Sequence, residues 1–312
     1  MTHPTTQVVA VVVTYNRREL LLECLAAIEA QTSPVAEIVV VDNASSDGTA
    51  AAVRATHPNA TLYELSANLG GAGGFAFGVA AARPYADALW LMDDDAAPLP
   101  DALEQLLAAR DRYPGPRPAI VASRVVATDG SPIPMNAPRE RPGVSPKERA
   151  DAAAAGCMAI RSASFVSVLV DGLAARRNEL PVADYFIWND DFEYTTRLLR
   201  SSVGLLCPDS VTRHAAKPAA DPGARMHFEV RNKLWLWTRS PALTPKERLL
   251  YGGATLRRWA GWLIHSPNRW RLVKGIATGV GAALRGPRRT ADVLPAVPPA
   301  VPPAVPSSRS PK

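Results

Sequence analysis

Little in this sequence points to disulfides, a membrane span or a secretory leader. Its three cysteines, Cys24, Cys157 and Cys207, stand far apart without C-x-x-C spacing, so a disulfide framework is not expected and a reducing cytosol is. No run of about 18 uncharged apolar residues occurs, which argues against a spanning helix. The opening MTHPTTQVVAVVVTYNRREL has neither a basic n-region nor a small-residue cleavage site, and no signal peptide is expected. Glycines are missing where a nicotinamide-dependent oxidoreductase needs them: TYNRRE follows the first apolar run in place of G-x-G-x-x-G. There is no G-x-S-x-G, and no cysteine has a neighbouring base in sequence, so nucleophilic catalysis has no support.

What is present describes a globular α/β protein with an uneven charge. Of 312 residues, 47% are apolar and 21% charged, with a mean hydropathy of -0.04. The net charge is +6, yet Arg225 to Arg289 alone holds 14 Lys and Arg against two acids, so this stretch carries +12 and the rest −6. Five of the seven tryptophans (Trp235, Trp237, Trp259, Trp262, Trp270) lie in the same stretch. Such asymmetry points to an anionic partner for a basic appendage.

From Gln7 to Ala127 short β-branched runs alternate with alanine-rich ones. Strands are expected at Val8–Val13, Glu37–Val41, Thr61–Leu65 and Ala88–Met92. Helices are expected at Arg18–Ala30 with Leu21, Leu22, Leu25 and Ile28 on one face, after Asp47 as cap, at Gly74–Ala82 and from about Pro100. This alternation implies a mostly parallel sheet with right-handed crossovers, whose ligands bind beyond the carboxyl ends of the strands. Ser131–Pro146 reads as a loop, Gly156–Val170 as strand material, and Asp190–Arg200, Glu229–Arg239, Pro245–Ile264 and Asn268–Leu284 as helices. From Thr290 the AVPPAVPPAVP repeat reads as a polyproline-like tail that buries no core.

Four motifs can carry chemistry. Asp93, Asp94 and Asp95 follow an apolar strand; adjacent carboxylates repel, and alternate positions let Asp93 and Asp95 share a Mg²⁺ or Mn²⁺ ion while Asp94 turns aside. A solvated acidic turn is the plain alternative. The block Asn68-Leu69-Gly70-Gly71-Ala72-Gly73-Gly74-Phe75 lets backbone approach a ligand and presents N–H groups at a helix start, or is simply a flexible turn. In Trp188-Asn189-Asp190-Asp191-Phe192-Glu193 a carboxylate at a helix start suits a general base, or the acids merely complement the helix dipole. His214, in Arg213-His214-Ala215-Ala216-Lys217, is an acceptable further ligand for manganese.

Taken in order, VVVTYNR, VVVDNASSDGT and the aspartates after the fourth strand resemble the inverting nucleotide-sugar glycosyltransferases of family 2, with the GT-A fold, over residues 7 to about 235. NLGGAGGF, LWLMDDDA and DDFEYTTRL more specifically resemble actinobacterial galactofuranosyltransferases that build cell-wall galactan. The resemblance implies that Thr14, Tyr15 and Arg17 line the nucleotide pocket and that Asp42 bonds the uracil. It places Asn68, Gly70 and Gly71 along the diphosphate–sugar, with Asp94 among the donor contacts. It implies Asp93, Asp95 and His214 as ligands of Mn²⁺ or Mg²⁺, Asp191 as the base and Asp190 as a residue orienting the sugar. Trp188 and the pair Arg231-Asn232 are acceptor candidates. Asn189 stands where the family commonly has glycine, which puts the register around the base in question.

These readings divide the chain into a GT-A domain (1–235), a basic Trp-rich helical region (236–289) and a Pro-rich disordered tail (290–312). The expected reaction moves galactofuranose from UDP-galactofuranose to a polyprenyl-diphosphate-linked cell-wall glycan, with rhamnosyl transfer from dTDP-rhamnose as the alternative. Interleaved tryptophan and arginine suit helices lying on an anionic membrane, at the inner face of the cell membrane, although ordinary packing or self-association into an oligomer fits as well. No nucleic-acid-binding fold accompanies the charge. A peripheral membrane module without catalysis is the non-enzymatic rival.

Overall fold

A run such as VVAVVVT can be buried on both faces only inside a sheet. In the computed structural model, which describes residues 6–215 and 222–297, it forms β1 (Val8–Thr14), buried throughout and paired with a strand on either side. The first half then alternates as expected: α1 (Arg18–Glu29), β2 (Glu37–Asp42), α2 (Thr49–Thr56), β3 (Thr61–Glu64), α3 (Gly70–Ala82) and β4 (Ala88–Asp93), with β1 to β4 mutually parallel. Cys24, rather than Leu22, completes the buried face of α1. Asp47 accepts from the N–H groups of both Thr49 and Arg18, and so ties α2 to the start of α1.

The glycine-rich helix begins four residues earlier than its pattern suggested. The reason is packing: a Cβ on Gly74 would lie 2.4 Å from Val13 Cγ1, and one on Gly78 2.3 Å from Val11 Cγ1. Glycine lets α3 lie directly on β1, and burial on nearly every side then offsets its low helix propensity.

The second half is mixed. It comprises β5 (Ala96–Pro98), α4 (Ala102–Arg112), β6 (Ile120–Ala127), α5 (Pro146–Ala154), β7 (Met158–Ala159), β8 (Val168–Asp171), α6 (Gly172–Arg177), α7 (Asp190–Leu198) and β9 (Gly204–His214). The sheet order is β3-β2-β1-β4-β8-β6-β9-β5, with β7 on β9, and β8 runs antiparallel to both neighbours. Gly156–Val170 supplies only β7 and β8 from its strand-like run. Pro208-Asp209 does not turn the chain; the register of β6 on β9 jumps from Ser123↔Cys207 to Arg124↔Val211, so Pro208–Ser210 bulge out and the strand continues to His214. The Cys157 thiol donates to the Ala155 carbonyl and the Cys207 thiol to the Gln105 carbonyl.

Helices α8 (Met226–Thr238), α9 (Pro245–His265) and α10 (Arg269–Ala283) follow, then the short α11 (Thr290–Val293). Pro245 at the first turn and a Thr244–Glu247 capping box start α9. Met226, Val230, Trp259 and Leu272 form the small core shared by α8, α9 and α10. Helix α8 runs through residue 235, so secondary structure does not break at the expected boundary. The tail does not begin as pure low complexity either: Thr290 Oγ1 donates to the Pro181 carbonyl, and Leu294 and Val297 pack against the main core. The AVPP repeats beyond residue 297 lie outside the described residues. Among the described residues, no helix is long and apolar enough to cross a membrane.

Candidate functional site

Parallel pairing brings three polar strand ends to one edge. Thr14 is in register with Asp42, and Val13 with Asp93. Beyond β4 the chain turns through Asp94 and Asp95 and re-enters the sheet as β5, where Ala96 pairs with His214. The Ala215 N–H donates to the Asp95 carbonyl, which closes this junction. A strand end, a two-residue turn and an antiparallel partner thus bring Asp93, Asp95 and His214 together, with one ligand atom from each within 4.8 Å of the others.

The electrostatics of this trio are those of a cation site. Burial, reinforced by Asp95 and Asp94, pushes the Asp93 carboxyl up to about 8. Burial opposes charge on Asp95 too, but His214 and Arg17 hold it below its ordinary value. His214 Nε2 stands 3.0 Å from Asp95 Oδ1, yet that oxygen is buried without a hydrogen bond of proper geometry. Burial lowers the His214 imidazole, and Asp95 more than reverses this. Two carboxylates and an imidazole, with one carboxylate oxygen orphaned and the other acid's charge opposed by burial and by its neighbours, make a donor set that fits Mn²⁺ or Mg²⁺.

Asp94 turns aside, although within a two-residue turn rather than by alternation along an extended strand. Its Oδ2 accepts from Thr14 Oγ1 at 2.9 Å and from the Tyr15 N–H at 3.4 Å, and Arg17 Nη1 bridges Asp94 Oδ1 (3.1 Å) and Asp95 Oδ2 (2.6 Å). Thr14 is buried and its hydroxyl holds Asp94. The Tyr15 ring is 44% exposed at the same edge. Asp42 is buried, and its Oδ1 accepts from the Ser45 N–H. Asn68 accepts from the Gly70 N–H, and the Ala72 N–H donates to the Phe186 carbonyl, so two of the helix-start donors expected to face a ligand are used internally. Gly70, at φ +70°, is there for contact, since a Cβ would meet the Phe186 carbonyl oxygen at 2.0 Å; Gly71 has open space on that side.

The second acidic pair opens α7. Burial, then the neighbouring Asp191, pushes Asp190 up to about 8. Burial also raises Asp191, against the pull of the Phe192 N–H and Lys233. The charge of Asp191 adds a last, small push to the raised Asp93 carboxyl. The backbone before them is unusual: Phe186, Trp188 and Asn189 all have positive φ, between 63° and 68°. Asparagine tolerates that conformation, so Asn189 fills the glycine-like position without shifting the helix start.

Arg231 and Asn232, the acceptor candidates, hold this loop. Asn232 is fully buried, and its Nδ2 lies 2.9 Å from each of the carbonyls of Tyr185, Ile187 and Trp188. Arg231 donates to the Asp184 and Tyr185 carbonyls and lies over the Phe228 and Trp235 rings. Trp188 keeps a half-buried ring under Arg225. Ala216 and Lys217 lie outside the described residues.

Sequence reasoning passed over three residues. Asn136, in the 131–145 loop, accepts or donates at His214 Nδ1 (3.3 Å), and no local pattern marks it. Asn43 accepts from the Leu69 N–H and donates to the Gly70 carbonyl; its place beside Asp42 was the available signal. Glu229 reaches Asn189 from α8, hidden among the charges of the basic stretch.

Residues 9–163 match the family described as Glycosyl transferase family 2. The galactofuranosyltransferase GlfT1 of Mycolicibacterium smegmatis is 43% identical over 99 residues, 31% of this chain and 32% of that protein. GlfT1 of Mycobacterium tuberculosis H37Rv is 42% identical over 113 residues, 35% of this chain and 37% of that one. The aligned part is about a third of these relatives' length. Among solved structures, S. aureus TarS 1-349 in complex with UDP superposes with a TM-score of 0.62 at 14% identity, covering 92% of this chain and 83% of that one. The mannosyltransferase PcManGT of Pyrobaculum calidifontis, in complex with GDP-Man and Mn²⁺, gives 0.52 at 22% identity, covering 93% and 79%. The last two likenesses establish a shared fold.

Proposed function

Taking the chain as what residues 9–163 make it, a glycosyltransferase of family 2, we propose that it transfers galactofuranose from UDP-galactofuranose to a polyprenyl-diphosphate-linked cell-wall glycan, with inversion. The observation that carries the reading is the meeting of Asp93, Asp95 and His214 at the carboxyl edge of the sheet. The partial identity to the galactofuranosyltransferases supports the sugar.

In this mechanism Asp93, Asp95 and His214 hold the divalent ion. When bound, such an ion supplies Lewis-acid stabilisation of the charge on the departing diphosphate. Arg17, half exposed and adjacent, adds positive charge on the same side. Tyr15 offers its ring to the nucleotide beside Asp42, and Gly71 leaves room for backbone approach at the diphosphate. Asp191 accepts the proton of the acceptor hydroxyl as its oxygen bonds to the anomeric carbon and the bond from that carbon to UDP breaks. One base and one in-line displacement give inversion. A retaining hydrolase needs two carboxyls flanking one glycosidic bond, which is a different geometry. Asp190, raised and therefore largely protonated near neutrality, can donate to a sugar hydroxyl.

Helices α9 and α10 fit an anionic membrane that carries the acceptor. Trp270 and Leu249 are 79% exposed and Ile264 61%, with Arg269 and Arg271 flanking Trp270. Exposed apolar side chains among guanidinium groups are what an interfacial helix needs. The test is a panel of nucleotide sugars with Mn²⁺ and a lipid-diphosphate disaccharide in vesicles, read by mass spectrometry. UDP-galactofuranose gives the strong product, faster in anionic than in neutral vesicles at low salt. A strong product from dTDP-rhamnose alone would overturn the donor, and equal rates in both vesicles would overturn the membrane reading.

A further inference from the structure

The loop that delivers Asp190 and Asp191 is held in a conformation its own residues disfavour. Positive φ at Phe186, Trp188 and Asn189 is disfavoured for any residue with a Cβ, least for asparagine. Such a backbone persists only where its surroundings hold it. Asn232 and Arg231 hold the first part. The last link, the residue that caps α7, is held by Glu229: Asn189 Nδ2 donates to Glu229 Oε2 at 3.1 Å.

The other oxygen of Glu229 belongs to α9. Oε1 accepts from Arg258 Nη2 at 2.6 Å and from Trp259 Nε1 at 3.2 Å. Glu229 is only 5% exposed, so its charge stands in a low-dielectric setting. Burial works against that charge, but Lys233, Arg258, Asn189 and Trp259 together keep it ionised. Arg258 is half exposed and lies over the Trp262 ring on the outer side of α9.

We infer that Glu229 is a positioning residue that couples the seating of α9 to the placement of the α7 carboxylates, so that transfer is governed by the basic helices as well as by the sheet edge. The inference rests on the reading of Asp191 as base. A carboxylate with one oxygen on each side is a two-ended tether, and moving Arg258 or Trp259 moves the cap of the catalytic helix. Misplacement by about 1 Å can cost up to about a hundredfold in rate.

The experiment compares full-length wild type, E229A, R258A, N189G and E229A/N189G. Readouts are kcat, donor KM, UDP binding with Mn²⁺, melting temperature, and amide exchange of residues 186–192. E229A is expected to lower kcat about tenfold with donor KM and UDP binding within about twofold, and to speed exchange in 186–192. R258A, which leaves Glu229 in place, acts in the same direction at about threefold. Glycine accepts a φ of +68° without a tether, so E229A/N189G recovers kcat to within about threefold of wild type even where its melting temperature stays low. Wild-type kcat in E229A, or no recovery in the double variant, overturns the inference. Failure of wild type to bind UDP with Mn²⁺ overturns the functional reading instead, and faster exchange in E229A and R258A would still support the tether.

Discussion

The two acidic pairs of this protein are placed by different means. Asp93 ends a buried strand and Asp95 lies in the turn after it, and backbone pairing on either side, β4 on β1 and β5 on β9, fixes where that turn sits. Asp190 and Asp191 begin a helix whose approach runs through three positive-φ residues, kept in place by side chains from α8. The first pair is rigid because the sheet is rigid. The second is only as well placed as its clamps, and so it is the part of the site that the rest of the molecule can adjust.

The sharpest way to break this comparison is to remove one acid from each side. D95N takes a donor from the cation site, so both Mn²⁺-dependent UDP binding by calorimetry and transfer should vanish, the latter by about a thousandfold or more. D191N leaves that edge intact; UDP binding should stay within about twofold while transfer falls by about 10²–10⁴. If D191N loses UDP binding as well, the two acids share one task and the division is wrong.

Next in size is the clamp itself. N232A takes the side-chain donor from the carbonyls of Ile187 and Trp188, while Tyr185 keeps Arg231. A stability loss of about 3 kcal/mol is expected in denaturant melts, with transfer lowered more than UDP binding. The equivalent cut on the sheet side, N136A beside His214, removes two long hydrogen bonds, to His214 at 3.3 Å and to Ser164 at 3.4 Å, and should cost about 1 kcal/mol. Equal losses would mean that the sheet edge leans on side chains as much as the loop does.

The same contrast decides what could be read from the sequence. Strand ends are legible because burial on both faces imposes a continuous apolar run, and the polar residues after it must emerge at one edge; Asp42, Asp93 and Asp95 were found in this way. His214 was harder, since its approach to Asp95 depends on the Pro208–Ser210 bulge, which resembles a turn in sequence. The α3 glycines signalled closeness, but to Val11, Val13 and Phe186 more than to a ligand. Arg231 and Asn232 were visible as a motif, yet their partners are backbone carbonyls, which leave no mark on the sequence. A tether such as Glu229 has no periodicity at all.

The smallest effect separates the pairs by proton and metal. Asp190 has an ordinary carboxyl in the unfolded chain, near 3.8, and about 8 when folded, through burial first and Asp191 second. Below about 4 it is protonated in both states and contributes its full share of stability. Between about 4 and 8 the unfolded chain releases that proton while the native protein keeps it, so stability falls as pH rises and the contribution is lost through the folded value. D190N removes this dependence: its melting temperature should match wild type near pH 4 and exceed it at pH 8. Asp93, pushed to about 8 in the same direction, adds its own decline in metal-free protein. Mn²⁺ should flatten the Asp93 share, because a cation replaces the proton, and leave the D190N difference intact. Melts in chelator and in Mn²⁺ from pH 4 to 8 check both. Parallel curves for D190N and wild type would show that Asp190 ionises as freely as an exposed acid, and the rigid and the clamped pair would then differ in placement alone.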